Sequence, residues 1–260
     1  MSKYSVSVGI VFYNPSKKNI QQNIIEAKNI IDKSKNEVTF YFVDNGSTVT
    51  EVFDDKEMPS GVHLLRLESN LGFGGGHNQI LNSVNSDVHI VMNPDIHLAD
   101  VAALDMAINY LMEHKVSLIS PQLKSSNGEI QLLNRLEPTV FDLAIRFLGS
   151  SFLPNRQAGF VKKETGYDGT IQHIENATGA FMIMKTLDLK KIGGFDERYF
   201  MYMEDTDLTK SVNTFGNGAL YYPSLVLEHG WQRDNHSLKG SLRMINSMIK
   251  YFNKWGWKLV

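Results

Sequence analysis

Two adjacent carboxylates, Glu204 and Asp205, are the residues of this sequence whose types and spacing best suit proton transfer. They follow an aromatic and methionine-rich segment, 200–203, and burial beside such a segment can raise the pKa of a carboxyl group. A carboxylate with a raised pKa can act as a general base near neutral pH. Acidic residues also favour the first turn of a helix, so an ordinary helix start is the alternative interpretation.

Two further acidic residues stand directly after apolar segments that are predicted to be buried strands. Asp44 follows 38–43 and opens the sequence Asp-Asn-Gly-Ser, where it could accept hydrogen bonds from a base or sugar, or could simply form a turn. Asp95, in Asn93-Pro94-Asp95, follows 88–92 and could hold a divalent cation that bridges a diphosphate. A turn with a helix cap is the alternative for this second segment.

A glycine-rich segment, 70–76, stands before a helix predicted over about 76–84, and its backbone N–H groups could approach phosphates. It is not a Walker loop, because no Gly-Lys-Ser/Thr follows. Asn78 and Gln79 break the spacing of a dinucleotide-binding motif. A flexible turn is the alternative interpretation.

His229 and Arg233 follow a predicted strand over 219–227. The imidazole of His229 could ligate a metal, and the guanidinium of Arg233 could contact phosphates. A lone histidine is as often structural, so this pair is the weaker candidate.

These candidates depend on strands and helices that alternate along the first hundred residues. Strands are predicted over 6–12, 38–43, 62–67 and 88–92, and helices over 17–32 and about 76–84. The alternation predicts a parallel sheet with helices on both faces, and ligands of such sheets bind beyond the carboxyl ends of the strands. The residues expected to share one polar pocket there are Tyr13, Asn14 and the segments 44–47, 70–76 and 93–95.

The second half of the sequence is less regular. Strands are predicted over 118–123, 179–184 and 219–227. Helices are predicted over 100–114, 140–148, 187–192 and 208–215.

Composition excludes several classes of protein. Hydrophobic residues make up 42% and charged residues 21% of the 260 residues, unlike a disordered chain, a collagen or a long coiled coil. The net charge of -2 gives no basic excess, so no nucleic-acid partner is expected. Cysteine is absent, which excludes disulfide scaffolds, cysteine-ligated metals and thiol nucleophiles. A metal would therefore need carboxylate, histidine or phosphate ligands.

The hydropathy pattern predicts neither a secretory signal nor a membrane span. The N-terminal apolar run is short and is interrupted by polar residues, and no stretch reaches 18 apolar residues. We expect a soluble or peripheral protein in the cytoplasm.

Four motifs in a fixed order resemble a known family. They are Val43-Asp44-Asn45-Gly46-Ser47, the segment from Asn70 to Asn78, Asn93-Pro94-Asp95, and the segment from Gly193 to Leu208. This set is similar to the inverting glycosyltransferases of family 2, in the branch of the rhamnosyltransferases. The resemblance runs from about Ser7 to His229.

The resemblance implies an α/β protein of the GT-A fold, with a mostly parallel, Rossmann-like central sheet flanked by helices, and the pattern of the last residues adds a C-terminal helical extension. It implies a catalytic domain over residues 1–230. Residues 1–98 would bind the nucleotide sugar and residues 99–230 the acceptor. The amphipathic helical extension would cover residues 231–260.

The activity implied is the non-processive transfer of a sugar, with inversion, from a nucleotide diphosphate donor and with a divalent cation, Mg²⁺ or Mn²⁺. The donor of this branch would be a dTDP-sugar such as dTDP-rhamnose. The acceptor would be a glycan or a lipid-linked saccharide in cell-surface polysaccharide synthesis.

Residue roles carried over from the family are expectations at this stage. Asp205 would be the general base with Glu204 as the fallback, and Asp95 with His229 would contact the metal. The nucleotide sugar would be bound by Tyr13, Asn14, Asp44, Asn70, Gly72, Gly74, Gly75, Asn93 and Arg233.

Two departures from the family pattern bear on the activity. Asn93 stands where the family's Asp-x-Asp motif has its first Asp, which leaves one carboxylate of that motif for the metal. The Gln-x-x-Arg-Trp signature of processive members is absent, which favours the transfer of one sugar or a few.

Two other functions stay open from the sequence. One is a sugar nucleotidyltransferase, although that class usually has a glycine-rich basic loop after the first strand, and 11–15 is not one. The other is a non-catalytic subunit that binds nucleotide sugars, which the presence of Asp95 and Asp205 disfavours.

The last segment, 238–260, predicts an amphipathic helix that could pack on the domain or lie on an anionic membrane at the inner face of the plasma membrane. Its apolar face would carry Leu242, Ile245, Met248, Ile249, Phe252 and Trp255 or Trp257. Its positive charges, which no acidic residue balances, are Lys239, Arg243, Lys250, Lys254 and Lys258.

Overall fold

The chain folds into alternating strands and helices, which the computed structural model describes for residues 3–49, 52–147, 149, 151–230 and 238–260. The first part contains β1 (Ser5–Phe12), α1 (Lys17–Lys33), β2 (Glu37–Asp44), β3 (Val62–Arg66), α2 (Gly72–Ser83), β4 (Val88–Met92), β5 (Ile96–His97) and α3 (Val101–Glu113). The second part contains β6 (Leu118–Lys124), α4 (Val140–Phe147), α5 (Pro154–Phe160), β7 (Gln172–His173), β8 (Phe181–Lys185), α6 (Thr186–Lys191), α7 (Glu204–Phe215), β9 (Ala219–His229) and α8 (Leu238–Trp255).

The strands of the described residues form one sheet in the order β3-β2-β1-β4-β8-β6-β9-β5, and β7 pairs with β9. Strands β3, β2, β1 and β4 run parallel, β8 is antiparallel to both β4 and β6, and β9 is parallel to β6. The predicted α/β fold, with a mostly parallel central sheet flanked by helices, is confirmed.

Helices cover both faces of this sheet. Ile90 belongs to the core formed with α1 and α3, whereas the next residue, Val91, packs with Leu81 of α2 and Leu208 of α7. Successive strand residues point to opposite faces, which explains why the central strands are apolar throughout. Polar groups are therefore concentrated at the ends of the strands.

One edge of the sheet collects segments from both halves of the chain. The ends of β1, β2 and β4 lie there because these strands are parallel. The start of β8 lies there too, since Phe181 pairs with Met92 at the end of β4. The end of β9 joins them through the pairing of His229 with Ile96. We call this the carboxyl edge.

Helix α2 differs from the sequence prediction, which placed a loop over 70–76 and a helix start at about 76. The helix begins at Gly72, so the glycines form its first turn. A Cβ at Gly74 would lie 2.7 Å from Cβ of Phe195, and one at Gly76 would lie 2.8 Å from Cγ1 of Val11. Close packing of this turn explains the run of glycines, and a flexible loop does not.

Helix α7 was predicted over 208–215 but begins at Glu204. The residue before it, Met203, has a left-handed backbone (φ 67°) and forms no side-chain cap. The sequence signals of a helix start are Ser, Thr, Asp or Asn at the cap position, and none stands there. Glu204 and Asp205 therefore occupy the first turn of α7.

Helix α8 packs on the rest of the protein through one face. Tyr251 and Phe252 are buried together with Tyr199 and Met203. This supports the packing alternative of the sequence analysis, whereas the boundary at residue 230 stays a prediction. No helix in the described part of the chain combines the length and the apolar composition needed to cross a membrane.

Two buried histidines lie between the sheet and α2. His77 and His89 are each 1% exposed, and His89 Nδ1 lies 2.8 Å from Ser7 Oγ. Both nitrogens of His77 and Nε2 of His89 have no hydrogen-bond partner among the described residues. Burial lowers the pKa of His77 to about 3, with a contribution from His89, and lowers the pKa of His89 to about 4. Both imidazoles are therefore neutral in the folded protein at pH 5 to 7.

We predict that acid destabilises the protein through this pair. The unfolded chain, with a histidine pKa of about 6.5, binds more protons than the folded chain, so stability falls as the pH drops below about 6.5. Each histidine should remove about 2 kcal/mol of the free energy of unfolding between pH 7 and pH 5. In urea unfolding at both pH values, His77→Leu should lose about 2 kcal/mol less than the wild type. The exposed His63→Gln control should match the wild type, and a His77→Leu variant with the same loss as the wild type would contradict the prediction.

Candidate active site

The end of β1 is fastened to the loop after β2 by Asn14. Its backbone N–H donates to Ser47 Oγ (2.9 Å), and its Oδ1 accepts from the backbone N–H of Thr48 (2.8 Å). The left-handed backbone of Asn14 (φ 48°) suits an Asn residue at such a turn. Tyr13 beside it is exposed, so its ring is available to a ligand at the carboxyl edge.

Asp44 lies at the end of β2 with its side chain buried. Its Oδ1 accepts a hydrogen bond from the backbone N–H of Ser47 (3.0 Å). The turn over 44–47 thus orients the carboxylate, and the two alternatives of the sequence analysis, turn and ligand contact, are compatible.

Asn45 joins β2 to the start of α2 through its side chain. The sequence analysis did not predict this contact, because Asn45 stands in the turn-forming segment 44–47. Its Nδ2 donates to Asn70 Oδ1 (3.1 Å) and to the carbonyl of Gly72 (3.0 Å). Its Oδ1 accepts from the backbone N–H of Leu71 (2.9 Å). The predicted site residues Asn70, Gly72 and Asp44 are therefore neighbours.

A backbone contact brings the start of α2 against the segment 196–203. The N–H of Phe73 donates to the carbonyl of Phe200 (3.1 Å). Gly72 has a φ of 78°, and a Cβ there would lie 2.1 Å from that same carbonyl oxygen. Gly75, like Gly74, faces protein, since its Cβ would lie 2.8 Å from Leu71 Cβ. Packing against protein atoms thus accounts for glycine at positions 74 and 75. The predicted contact of Gly74 and Gly75 with a ligand stays a prediction.

Asp95 and His229 meet where β5 pairs with β9. His229 Nε2 lies 3.5 Å from Asp95 Oδ2, and the N–H of Gly230 donates to the carbonyl of Asp95 (2.9 Å). Asn93 starts the turn before β5, because its carbonyl accepts from the N–H of Ile96 (3.2 Å). The side chains of the two predicted metal contacts are thus adjacent.

Gln131 sets the proton position of His229, and nothing in the sequence pointed to it. The Nε2 of Gln131 donates to the carbonyl of His229 (3.1 Å), so its Oε1 faces His229 Nδ1 (2.7 Å). Nδ1 then carries the hydrogen, and the neutral ring presents its Nε2 lone pair toward Asp95. Burial lowers the pKa of His229, which favours this neutral form, although Asp95 opposes the shift.

These two side chains fit a divalent cation as a partial set of ligands. A carboxylate oxygen and an imidazole nitrogen are both suitable donors. No group of three or more His, Asp or Glu side chains is placed to hold a metal among the residues that the structure describes. Water or the oxygens of a diphosphate would have to complete the coordination.

Asp205 is oriented by two backbone N–H groups. Its Oδ2 accepts from Gly179 (3.0 Å) and its Oδ1 from Thr206 (2.7 Å). These two hydrogen bonds fix the orientation of the carboxylate at the start of α7. The carbonyl of Ala180, next to Gly179, accepts from the N–H of Asn93 (2.9 Å). Asp205 is therefore linked to the metal-site candidates through a single short segment of chain.

Glu204 has a different environment from its neighbour. It is buried, and its Oε2 has no hydrogen-bond partner among the described residues. Burial, together with the charge of Asp205, raises the pKa of Glu204 to about 8. Asp205, by contrast, is partly exposed and has both carboxylate oxygens hydrogen-bonded.

The carboxyl edge thus brings together most of the residues that the sequence singled out. Contacts connect Asn14, Asp44 and Asn70 on one side, and Asn93, Asp95, Asp205 and His229 on the other. Gly72 connects the two sides through Phe200. Arg233 lies outside the described residues.

Comparison with known proteins gives a family match and two informative curated relatives. The model of the family "Glycosyl transferase family 2" matches residues 7–191. The N-acetylglucosaminyl-diphospho-decaprenol L-rhamnosyltransferase of Mycobacterium tuberculosis is 25% identical over 206 residues, which are 74% of this chain and 66% of that protein. The rhamnosyltransferase WbbL of Escherichia coli is 27% identical over 176 residues, 64% of each chain. This chain thus spans slightly less than two thirds of the length of these relatives.

Solved structures show the same fold. The mannosyltransferase PcManGT from Pyrobaculum calidifontis, in complex with GDP-Man and Mn²⁺, has a TM-score of 0.65 at 14% identity and covers 98% of this chain and 64% of its own. Staphylococcus aureus TarS 1-349, in complex with UDP-GlcNAc, has a TM-score of 0.61 at 16% identity and covers 96% of this chain and 67% of its own. The expected GT-A architecture is confirmed by these likenesses.

We predict that Gly72→Ala destabilises the protein more than the same substitution at Gly128, because only Gly72 lies in close contact with Phe200. Gly128 has a similar φ of 84°, but a Cβ there would meet nothing within 4 Å. Gly128→Ala should therefore cost about 1 kcal/mol of the free energy of unfolding, from the left-handed backbone alone. Gly72→Ala should cost about 3 kcal/mol or more, because a backbone carbonyl blocks the added methyl group. Urea unfolding measures both, and equal losses would contradict the contact.

Proposed function

The chain belongs to glycosyl transferase family 2, and from this premise we propose that it transfers a single sugar from a nucleotide diphosphate donor to a saccharide acceptor, with inversion. The observation that carries the proposal is the link between Asp205 and the segment 93–95. The backbone N–H of Gly179 donates to the carboxylate of Asp205, and the carbonyl of the next residue, Ala180, accepts from the N–H of Asn93. One short segment thus joins a base candidate to a diphosphate-site candidate, which supports a shared site at the carboxyl edge.

The nucleotide would bind on the side of Asp44. The carboxylate of Asp44, oriented by Ser47, would accept a hydrogen bond from the base, and the exposed ring of Tyr13 would lie beside it. Asn70 would line the path toward the diphosphate, since Asn45 holds it between β2 and α2.

A divalent cation would be held by Asp95 with His229, and when bound it supplies positive charge to the departing diphosphate. The neutral His229 ring is fixed for this role by Gln131. A cation also suits the electrostatics, since Asp95, Glu204 and Asp205 form no ion pair with Lys or Arg in the described part of the chain.

Asp205 would act as the general base. The proton of the acceptor hydroxyl moves to the carboxylate of Asp205 while the acceptor oxygen bonds to the anomeric carbon. The bond from that carbon to the diphosphate oxygen breaks on the opposite face, which inverts the configuration. The raised pKa of Glu204 keeps a second full negative charge away from the base at neutral pH.

The names of the relatives support a rhamnosyl donor and a lipid-linked acceptor. Two relatives are named rhamnosyltransferases, and the name of one specifies a diphospho-decaprenol saccharide. We extend both features to this chain, with dTDP-rhamnose as the donor. The absence of the processive Gln-x-x-Arg-Trp signature supports single transfers in cell-surface polysaccharide synthesis.

A lipid-linked acceptor would require contact with an anionic bilayer, and α8 offers a surface for it. Leu242, Ile245 and Ile249 lie on one stripe of α8 and are 67%, 44% and 43% exposed. Of the basic residues, Lys254 is engaged by Asp196 and Asp207, so the charges contribute less than the sequence suggested. The apolar stripe would carry most of this peripheral contact.

We predict that Asp205→Asn lowers turnover by roughly 10² to 10⁴ while the KM for the donor stays nearly unchanged, because the variant keeps the shape and loses the basicity. The assay follows release of nucleoside diphosphate from a panel of nucleotide sugars, dTDP-rhamnose included, with a lipid-diphosphate saccharide as the acceptor. Glu204→Gln is the matched control and should keep most of the activity. An inactive Glu204→Gln beside an active Asp205→Asn would reverse the assignment of the base.

The same assay separates the proposed function from the two alternatives. Release of pyrophosphate from a nucleoside triphosphate and a sugar phosphate would indicate a nucleotidyltransferase. Donor binding by thermal shift without transfer to any acceptor would indicate a non-catalytic subunit.

For the membrane, we predict that replacing Leu242, Ile245 and Ile249 together with Gln lowers binding to vesicles of anionic phospholipid at least tenfold, because each buried aliphatic side chain contributes about 1.5 kcal/mol. The matched control replaces Ile25 of α1 and Leu187 of α6, which are also exposed, with Gln. This control should bind vesicles as the wild type does. Co-sedimentation measures both, and unchanged binding of the α8 variant would refute the contact.

A further inference from the structure

The end of α8 reaches the helix that carries the base candidate. Lys254 Nζ donates to Asp207 Oδ2 (2.7 Å) and to Asp196 Oδ2 (2.9 Å). The indole N–H of Trp255 donates to Asp207 Oδ1 (2.6 Å). Both residues lie beyond 7–191, the part of the chain that the family match covers. The family match therefore assigns them no role.

Asp207 is the residue through which α8 holds α7. Its side chain is 2% exposed, and the hydroxyl of Tyr199 also donates to its Oδ1 (3.2 Å). Both carboxylate oxygens are thus bound by groups from outside α7. Asp207 stands in the same helical turn as Asp205, so a shift of one moves the other.

The turn just before α7 is strained and also rests on α8. Tyr202 and Met203 both have left-handed backbones, with φ of 69° and 67°. Non-glycine residues keep this conformation only where the surroundings impose it. Met203 packs with Tyr251 and Phe252, and the hydroxyl of Ser247 donates to the carbonyl of Met201 (2.9 Å). Residues of α8 therefore contact both the strained turn and the first turn of α7.

We propose that Lys254 and Trp255 are positioning residues for the transfer reaction, holding the first turn of α7 so that Asp205 faces the acceptor hydroxyl. The inference rests on the proposed function for the identity of the reaction. Lys254 binds Asp207 and Asp196 at once, so it joins the helix to the segment that crosses the start of α2. Trp255 fixes the remaining oxygen of Asp207.

The test compares Lys254→Met and Trp255→Phe, which keep most of the side-chain volume, with the exposed Lys258→Met as the control. Lys254→Met and Trp255→Phe should each lower kcat about tenfold or more, as expected when the general base is misplaced, and Lys258→Met should not. The KM for the donor should stay within about twofold, because Asp44 and Asn70 lie on other elements. Lys254→Arg should restore most of the activity. A Lys254→Met variant with the kcat of the wild type would overturn the proposal.

Since removal of Lys254 leaves a buried carboxylate, Lys254→Met could fail to fold. The double variant Lys254→Met with Asp207→Asn removes both charges, and it should fold yet keep the low kcat. A double variant that folds and turns over at the rate of the wild type would also overturn the proposal.

Hydrogen exchange supplies a readout that does not require the substrate. In Lys254→Met, backbone amides of 199–206 should exchange at least tenfold faster, while those of α1 should be unchanged. Unchanged exchange at 199–206 would overturn the proposal even if no donor were turned over. Absence of transfer by the wild type with every donor would instead count against the proposed function.

Discussion

The left-handed turn at Tyr202 and Met203 is the constraint on which the arrangement of the candidate site depends. It stands directly before α7, whose first turn carries Glu204 and Asp205. Two non-glycine residues in this conformation cost on the order of 1–3 kcal/mol each. The protein offsets this cost from two sides: Gly72 lets Phe200 contact the start of α2, and α8 packs against Met203.

The charges at the carboxyl edge follow from where each acid is placed. Asp44 and Asp205 accept backbone N–H groups, Asp95 faces His229, and Glu204 is buried without an ion pair. The ionised members of this set would repel a diphosphate, which is why the proposed reaction includes a cation. The pairing of β5 with β9 brings Asp95 to His229, and in the proposed reaction this pair would hold that cation.

The sequence predicted the fold and the strand ends well because these depend on local patterns. Apolar runs at 6–12, 38–43 and 88–92 became buried parallel strands, and polar residues at their ends came together for that reason alone. The starts of α2 and α7 were misplaced, since one begins with tightly packed glycines and the other without a capping residue. The roles of Gln131, Gly179 and Lys254 depend on contacts between distant segments, which no local pattern encodes.

A crystal structure with dTDP and Mn²⁺, measured at a wavelength where manganese scatters anomalously, tests the account most directly. The account predicts the base beside Asp44 and an anomalous peak bonded to Asp95 and to diphosphate oxygens. It also predicts that the face of the site toward Asp205 is open to an acceptor. A nucleotide bound away from the carboxyl edge, or a manganese peak with no contact to Asp95, would contradict it.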